Sequence, residues 1–148
     1  MTDSGFKIQD PDLTDPAARE EFISDLSRFL GPYDDPREEM VEALNNALDR
    51  GFVFEIVSPG GVRAGAVVIS RTPFRLFQPR YHLAYIATAE EFRGKGLGRA
   101  LLAEAHRRTG RQLALHVSPS NQTAIAFYER CGWKVKYTRM MPAKKPAG

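Results

Sequence analysis

Three glycines in the six residues Arg93-Gly94-Lys95-Gly96-Leu97-Gly98 separate a β-branched run from a helix-periodic one, and no other stretch restricts the fold as tightly. Glycine takes positive φ readily and lets a backbone approach another group closely. Such a run at a strand-to-helix step therefore gathers N–H groups into a concavity at the positive end of a helix, a shape suited to pyrophosphate. Arg93, Lys95 and Arg99 add full charges. The bare alternative is a tight turn that binds nothing. Two familiar phosphate patterns are missing. A dinucleotide G-x-G-x-x-G needs glycine where Arg99 or Leu101 stands, and the P-loop G-x-x-x-x-G-K-[ST] has no match.

The flanks place this turn in an α/β domain with a central mixed sheet. HLAYIAT before it reads as a strand. After it, Leu97, Leu101 and Ala105 recur at i, i+4, i+8 up to Gly110; RQLALHVS reads as a strand, NQTAIAFYERC as a helix closed by Gly132, and WKVKYTRMM as the last strand. Toward the N-terminus, Asp15-Pro16 opens a helix carrying Phe22, Leu26, Phe29 and Leu30 until Gly31-Pro32. Pro36 opens a second, with Met40, Val41, Leu44 and Leu48 on one face and Gly51 past its end. FVFEIVS and VRAGAVVISR form a hairpin about Pro59-Gly60-Gly61, TPFRLFQPRY with Phe74 and Phe77 is a loop or lid, and FKIQ is a weak edge strand. The expectation is one domain over residues 1–148, frayed from 142 onward.

Composition narrows the class. A chain of 148 residues buries enough apolar surface to need no disulfide, and Cys131 is the only cysteine. With no basic-then-apolar leader in MTDSGFKIQD, the simplest compartment is the cytoplasm. The longest apolar run, Ala64 to Ile69, is far short of the roughly 20 residues of a membrane-spanning helix. Charge is divided: residues 1–50 hold 13 acidic and 5 basic side chains (net −8), leaving 5 acidic and 16 basic in 51–148 (net +11). The basic part suits a polyphosphate ligand, and the acidic part argues against a uniformly basic nucleic-acid binder. No histidine stands at ligand spacing to Cys131, so no metal site is expected.

Arg93 to Gly98 resembles the acetyl-CoA pyrophosphate signature R/Q-x-x-G-x-G/A of the GNAT superfamily of N-acetyltransferases. Asn121 to Trp133 is similar to that superfamily's later segment, with its asparagine, small residue, aromatic-tyrosine pair and Gly-aromatic step. The resemblance covers about Phe52 to Met141. It implies a mixed, mostly antiparallel central sheet flanked by helices, acetyl-CoA as cosubstrate, and an amine acceptor attacking the thioester directly in a ternary complex. It further implies that backbone groups around Ile86, Ala87 and Thr88 pair with the pantetheine arm, the Ile86 amide region polarising the thioester carbonyl. By the same resemblance Arg93, Gly94, Lys95, Gly96, Leu97, Gly98 and Arg99 hold the pyrophosphate, Asn121 binds the pantetheine or fixes the loop with Phe127 packed beside it, and Tyr128 is the general acid. A core aromatic at helical spacing is the structural alternative for Tyr128.

The base departs from the common pattern, because HLAYIAT carries no carboxylate. His116 is the substitute, five residues before Asn121, where the related ribosomal-protein alanine N-acetyltransferases carry a glutamate; a structural histidine is its alternative. His82 is a weaker candidate and His106 is read as surface. Cys131 lies in an apolar stripe at a helix C-terminus and reads as packing. Similar proteins wall the amine pocket with their first two helices. Phe29 and Tyr33 here are candidate substrate contacts, Phe74 and Phe77 close from the other side, and Asp34, Asp35, Glu38 and Glu39 favour a cationic amine. Only 16 residues follow Gly132, which leaves a sheet edge that a homodimer would cover or that Lys134, Lys136 and Arg139 would equally keep solvated. The rival readings are a non-catalytic acyl-CoA-binding or regulatory module on the same fold and, less favoured, a nucleic-acid binder.

Overall fold

The computed structural model describes residues 5–74, 76 and 79–144. These form two compact units, Met1–His116 and Val117–Gly148. The first carries β1 (Lys7–Gln9), α1 (Pro16–Leu30), a 3-10 turn (Gly31–Tyr33), α2 (Arg37–Arg50), β2 (Phe52–Val57), β3 (Arg63–Arg71), β4 (Tyr81–Thr88), a second 3-10 turn (Glu90–Phe92), α3 (Leu97–Thr109) and β5 (Leu113–Ala114). The second carries α4 (Gln122–Arg130).

The helices begin and end where their caps dictate. Asp15 accepts a hydrogen bond from the Ala17 N–H at the start of α1, and Pro16 supplies the preset φ of a first helical residue. Along α2 the stripe is Met40, Leu44 and Ala47, all buried, while the expected Leu48 is 43% exposed. At about 100° per residue, Leu48 stands on the rim of that stripe.

The sheet runs β1-β2-β3-β4-β5, antiparallel except for the parallel pair β4–β5. It is the expected mixed, mostly antiparallel sheet. One face buries Val53, Ala66, Val68 and Tyr85 against Phe22, Leu26, Met40 and Leu44. The other receives α3, and Gly65 of β3 makes room for it: a Cβ there would lie 2.9 Å from Leu101 Cδ1 and 3.1 Å from the Ala87 carbonyl oxygen. On the α1 side, buried Glu55 accepts from Gln9 Nε2 at 2.8 Å and from Arg63 Nε at 2.6 Å, and Arg63 Nη1 reaches Asp25 of α1 at 2.6 Å.

Two expected strands are corrected. RQLALHVS is a strand only at Leu113–Ala114, paired as Tyr81↔Leu113 and His82↔Ala114. Just beyond that rung β4 carries a bulge, with Leu83 opposite Ile69 and Tyr85 opposite Val68, and a bulge bends its strand away from a neighbour. WKVKYTRMM forms no strand: Val135, Tyr137 and Met140 are 79%, 81% and 83% exposed. Alternation supplies a face, but a strand also needs a ladder partner, and within its own unit the only regular element among the described residues is α4. In the loop after β3, Phe74 is exposed, whereas Phe77 lies outside the described residues.

Candidate active site

Backbone pairing decides which groups of β4 are free. Gly65 stands opposite Thr88, and the Ala89 N–H donates to the Ala64 carbonyl at 2.8 Å, so Thr88 is a non-hydrogen-bonded position of the β3–β4 ladder. By alternation Ala87 bonds toward β3, and the N–H and C=O groups of Ile86 and Thr88 point to the opposite edge. Along that edge no strand among the described residues pairs with β4 beyond His82. The expected strand-like dock thus has open backbone groups at Ile86 and an open N–H at Thr88, whose carbonyl meets Arg93 Nη2 at 3.4 Å.

The same strand leads through the 3-10 turn into the glycine run. Gly94 (φ +83°) and Gly96 (φ +76°) are left-handed, and a Cβ on either would meet nothing within 4 Å. Helix α3 makes its first internal bond from Ala100 N–H to Gly96 O at 3.1 Å and has no side-chain cap. The N–H groups of Gly94 to Arg99 accordingly have no acceptor among the described residues. Lys95 and Arg99 are exposed and enter no ion pair among the described residues, whereas Leu97 is buried as the anchor of the helix. Open N–H groups, a helix start and open space in front of the glycines fit an anionic pyrophosphate. Arg93 is engaged elsewhere: its Nη2 donates to the carbonyls of Phe29, 3.3 Å, and Thr88, 3.4 Å.

On the α1–α2 side, the Tyr85 hydroxyl donates to Asp35 Oδ2 at 2.7 Å, and Ser27 Oγ donates to Asp34 at 2.5 Å. Burial, then Asp35, Glu39 and Asp34, raise the Tyr85 phenol well above the ordinary tyrosine range. The acidic cluster was legible in the sequence, but its link to β4 was not, because Tyr85 and Asp35 are 50 residues apart. Of the two expected acceptor contacts, Tyr33 is 53% exposed and Phe29 only 3%, so Phe29 packs in the core.

The histidines are redistributed. His82 and His116 bring their rings within 4.8 Å, and His116 is exposed. His106, expected at the surface, is half-buried, and burial followed by the Arg111 charge lowers its pKa. In the second unit Asn121 caps α4, its side chain accepting from the Ala124 N–H at 3.2 Å. Tyr128 is half-buried between the rings of Phe127 and Trp133, at 5.3 and 5.7 Å, and burial, with a smaller effect of Cys131, pushes its phenol up to about 12. Cys131 is a half-buried free thiol at the C-cap of α4. Among the described residues there is no cluster of metal-ligating side chains and no helix long and apolar enough to cross a membrane.

Residues 17–133 match the sequence model of the Acetyltransferase (GNAT) family. No curated protein matches the chain by sequence. Among solved structures it is similar to a ribosomal-protein alanine N-acetyltransferase from Escherichia coli (24% identity, TM-score 0.64, covering 86% of this chain and 76% of that one). It is also similar to glucosamine-6-phosphate N-acetyltransferase from Arabidopsis thaliana (23% identity, TM-score 0.60, 95% and 99% covered). A Bacillus subtilis acetyltransferase in complex with CoA matches at 20% identity and TM-score 0.66, with 89% and 78% covered. At these identities the likeness to the three structures is one of fold.

Proposed function

This chain belongs to the GNAT family of acetyltransferases, and on that premise we propose that it is an acetyl-CoA-dependent N-acetyltransferase acting on a cationic amine. The observation that carries the reading is the continuity of one open surface. The backbone edge of β4, open at Ile86 and at the Thr88 N–H, runs into the unpartnered N–H groups of Gly94 to Arg99 at the start of α3.

When bound, acetyl-CoA supplies the thioester carbonyl that the amine attacks. The N–H groups of Gly94, Lys95, Gly96, Leu97, Gly98 and Arg99, with the Lys95 and Arg99 charges, hold the pyrophosphate. The backbone of Ile86 and Thr88, with Ala87 locked to β3 between them, binds the pantetheine as an added strand, and the Ile86 N–H polarises the carbonyl. Asn121 and Phe127 are assigned to the arm by the family motif alone. Asp34, Asp35 and Glu39, with Tyr33 beside them, draw a cationic acceptor. His116, with the tilted ring of His82 beside it, takes the proton that the ammonium must lose before its nitrogen attacks.

Tyr128 is the residue assigned to the leaving sulfur. A phenol pushed to about 12 is a weaker acid than a thiol of reference pKa about 8.5, so full proton transfer is uphill. Tyr128 therefore works by keeping its proton and donating a hydrogen bond to the developing thiolate.

A panel of primary amines, assayed by acetyl-CoA-dependent thiol release, tests the proposal. Polyamines and basic peptides are expected to react faster than neutral or anionic amines. Coenzyme A binding without turnover on any amine would point instead to a non-catalytic acyl-CoA-binding module.

A further inference from the structure

The last four carbonyls of an α-helix have no partner inside it. In α1 one of them, that of Phe29, is met by a side chain 64 positions later, Arg93 of the glycine loop, at 3.3 Å. The same Nη2 lies 3.4 Å from the Thr88 carbonyl at the end of β4. The guanidinium thus stands at the negative end of the α1 dipole, where a cation is favoured. A second contact joins the same two segments, since Arg28 Nη1 of α1 lies 4.0 Å from Glu91 Oε1 in the turn before the loop.

The stretch beyond Phe29 carries the acidic side chains assigned above to the amine. Gly31 N–H donates to Ser27 O, Asp34 N–H donates to Gly31 O at 3.3 Å, and Asp35 accepts from Tyr85 of β4 at 2.7 Å. Residues 29–35 are consequently tied at one end to the cofactor loop and at the other to the strand that carries Ile86. Only the first tie depends on a residue of the glycine motif. Arg93 spends Nη2 on two carbonyls, and its own N–H is bonded to Glu90 O at 3.2 Å.

From this we infer that Arg93 is a positioning residue for the amine side of the site, holding the C-terminal turn of α1 in place, and does not act as a pyrophosphate ligand. The inference rests on the acetyl-CoA-dependent reading above. It follows that filling the loop stiffens residues 29–35, because the loop's first side chain is the strut beneath them.

Amide hydrogen exchange of the full chain, with and without coenzyme A, tests this alongside calorimetric titration with coenzyme A. In the parent, coenzyme A should slow exchange at Gly94 to Arg99 and also at Gly31 and Asp34. Arg93→Ala should bind coenzyme A within about twofold of the parent. It should still protect the loop but exchange Gly31 and Asp34 faster by about tenfold, the weight of one charge-assisted hydrogen bond, with or without ligand. Arg93→Lys, which keeps a donor of similar reach, should restore part of that protection. Two results overturn the inference: coenzyme A affinity falling about tenfold or more in Arg93→Ala with recovery in Arg93→Lys, as for a phosphate ligand, or Gly31 and Asp34 exchanging alike in parent and Arg93→Ala. A parent that binds no coenzyme A overturns the functional reading and this inference together, an outcome distinct from either.

Discussion

Two side chains proposed for opposite proton tasks should answer differently to pH. His116→Ala is expected to lower turnover on the order of 10²-fold near neutrality, the usual weight of a general base. That loss should shrink as pH rises, because the acceptor amine then sheds its own proton. Tyr128→Phe should cost a similar factor at every pH, since burial keeps the phenol protonated toward about 12 and its removal leaves the sulfur without a donor throughout. Thiol-release profiles of the two variants from acid to alkaline pH check the contrast, and parallel profiles would refute the division of labour. The sequence picked out Tyr128 through a motif. It could not show that Tyr85, read only as a strand residue, donates to Asp35, because a hydrogen bond spanning 50 positions leaves no local pattern.

Among the elements, the turn into α3 carries the sharpest constraint. Gly96→Val places a β-branched side chain at φ +76° in front of the open N–H groups, so coenzyme A affinity should fall by at least about tenfold. The substituted Cβ meets nothing within 4 Å, so the strain of a left-handed valine falls on the turn and the core should persist. Calorimetry and circular dichroism together check this, and unchanged affinity would remove the loop from the cofactor site. Elements defined by local chemistry were the legible ones: Asp15 before Pro16, Gly110 after Thr109 and the glycine turn itself mark boundaries within a few residues. Strands were less so. Both Leu113-Ala114-Leu115-His116 and the run from Trp133 carry strand-like alternation, but their fate depends on distant partners, the bulged β4 for the first and no ladder within its own unit for the second.

At the scale of the molecule, charge is used for cohesion as well as attraction. Arg63 joins β3 to buried Glu55 and to Asp25 of α1; burial lowers its pKa, and these two partners outweigh that to give a net rise. Arg63→Ala leaves the buried Glu55 carboxylate with the neutral Gln9 amide and no cation, and a loss of about 3 kcal/mol is expected by urea unfolding. A loss below 1 kcal/mol would mean that Glu55 finds another partner or takes a proton. On α3, the Arg107 hydrogen bond and then Arg108 hold Glu104 down to about 2, below its ordinary 4.5. A carboxyl lowered in the folded state adds stability that is present above pH 4.5 and drains away between 4.5 and 2. Glu104→Gln should flatten that limb of the stability-against-pH curve, and an unchanged limb would assign it to other carboxylates. Gly65 acts as a spacer of zero thickness between β3 and α3, since the depth at which Leu101 sits on the sheet is set by a methyl group that is not there. The free N-terminal amides ride on that same helix, so their level above the edge of β4 is gauged by a residue of β3 that belongs to neither.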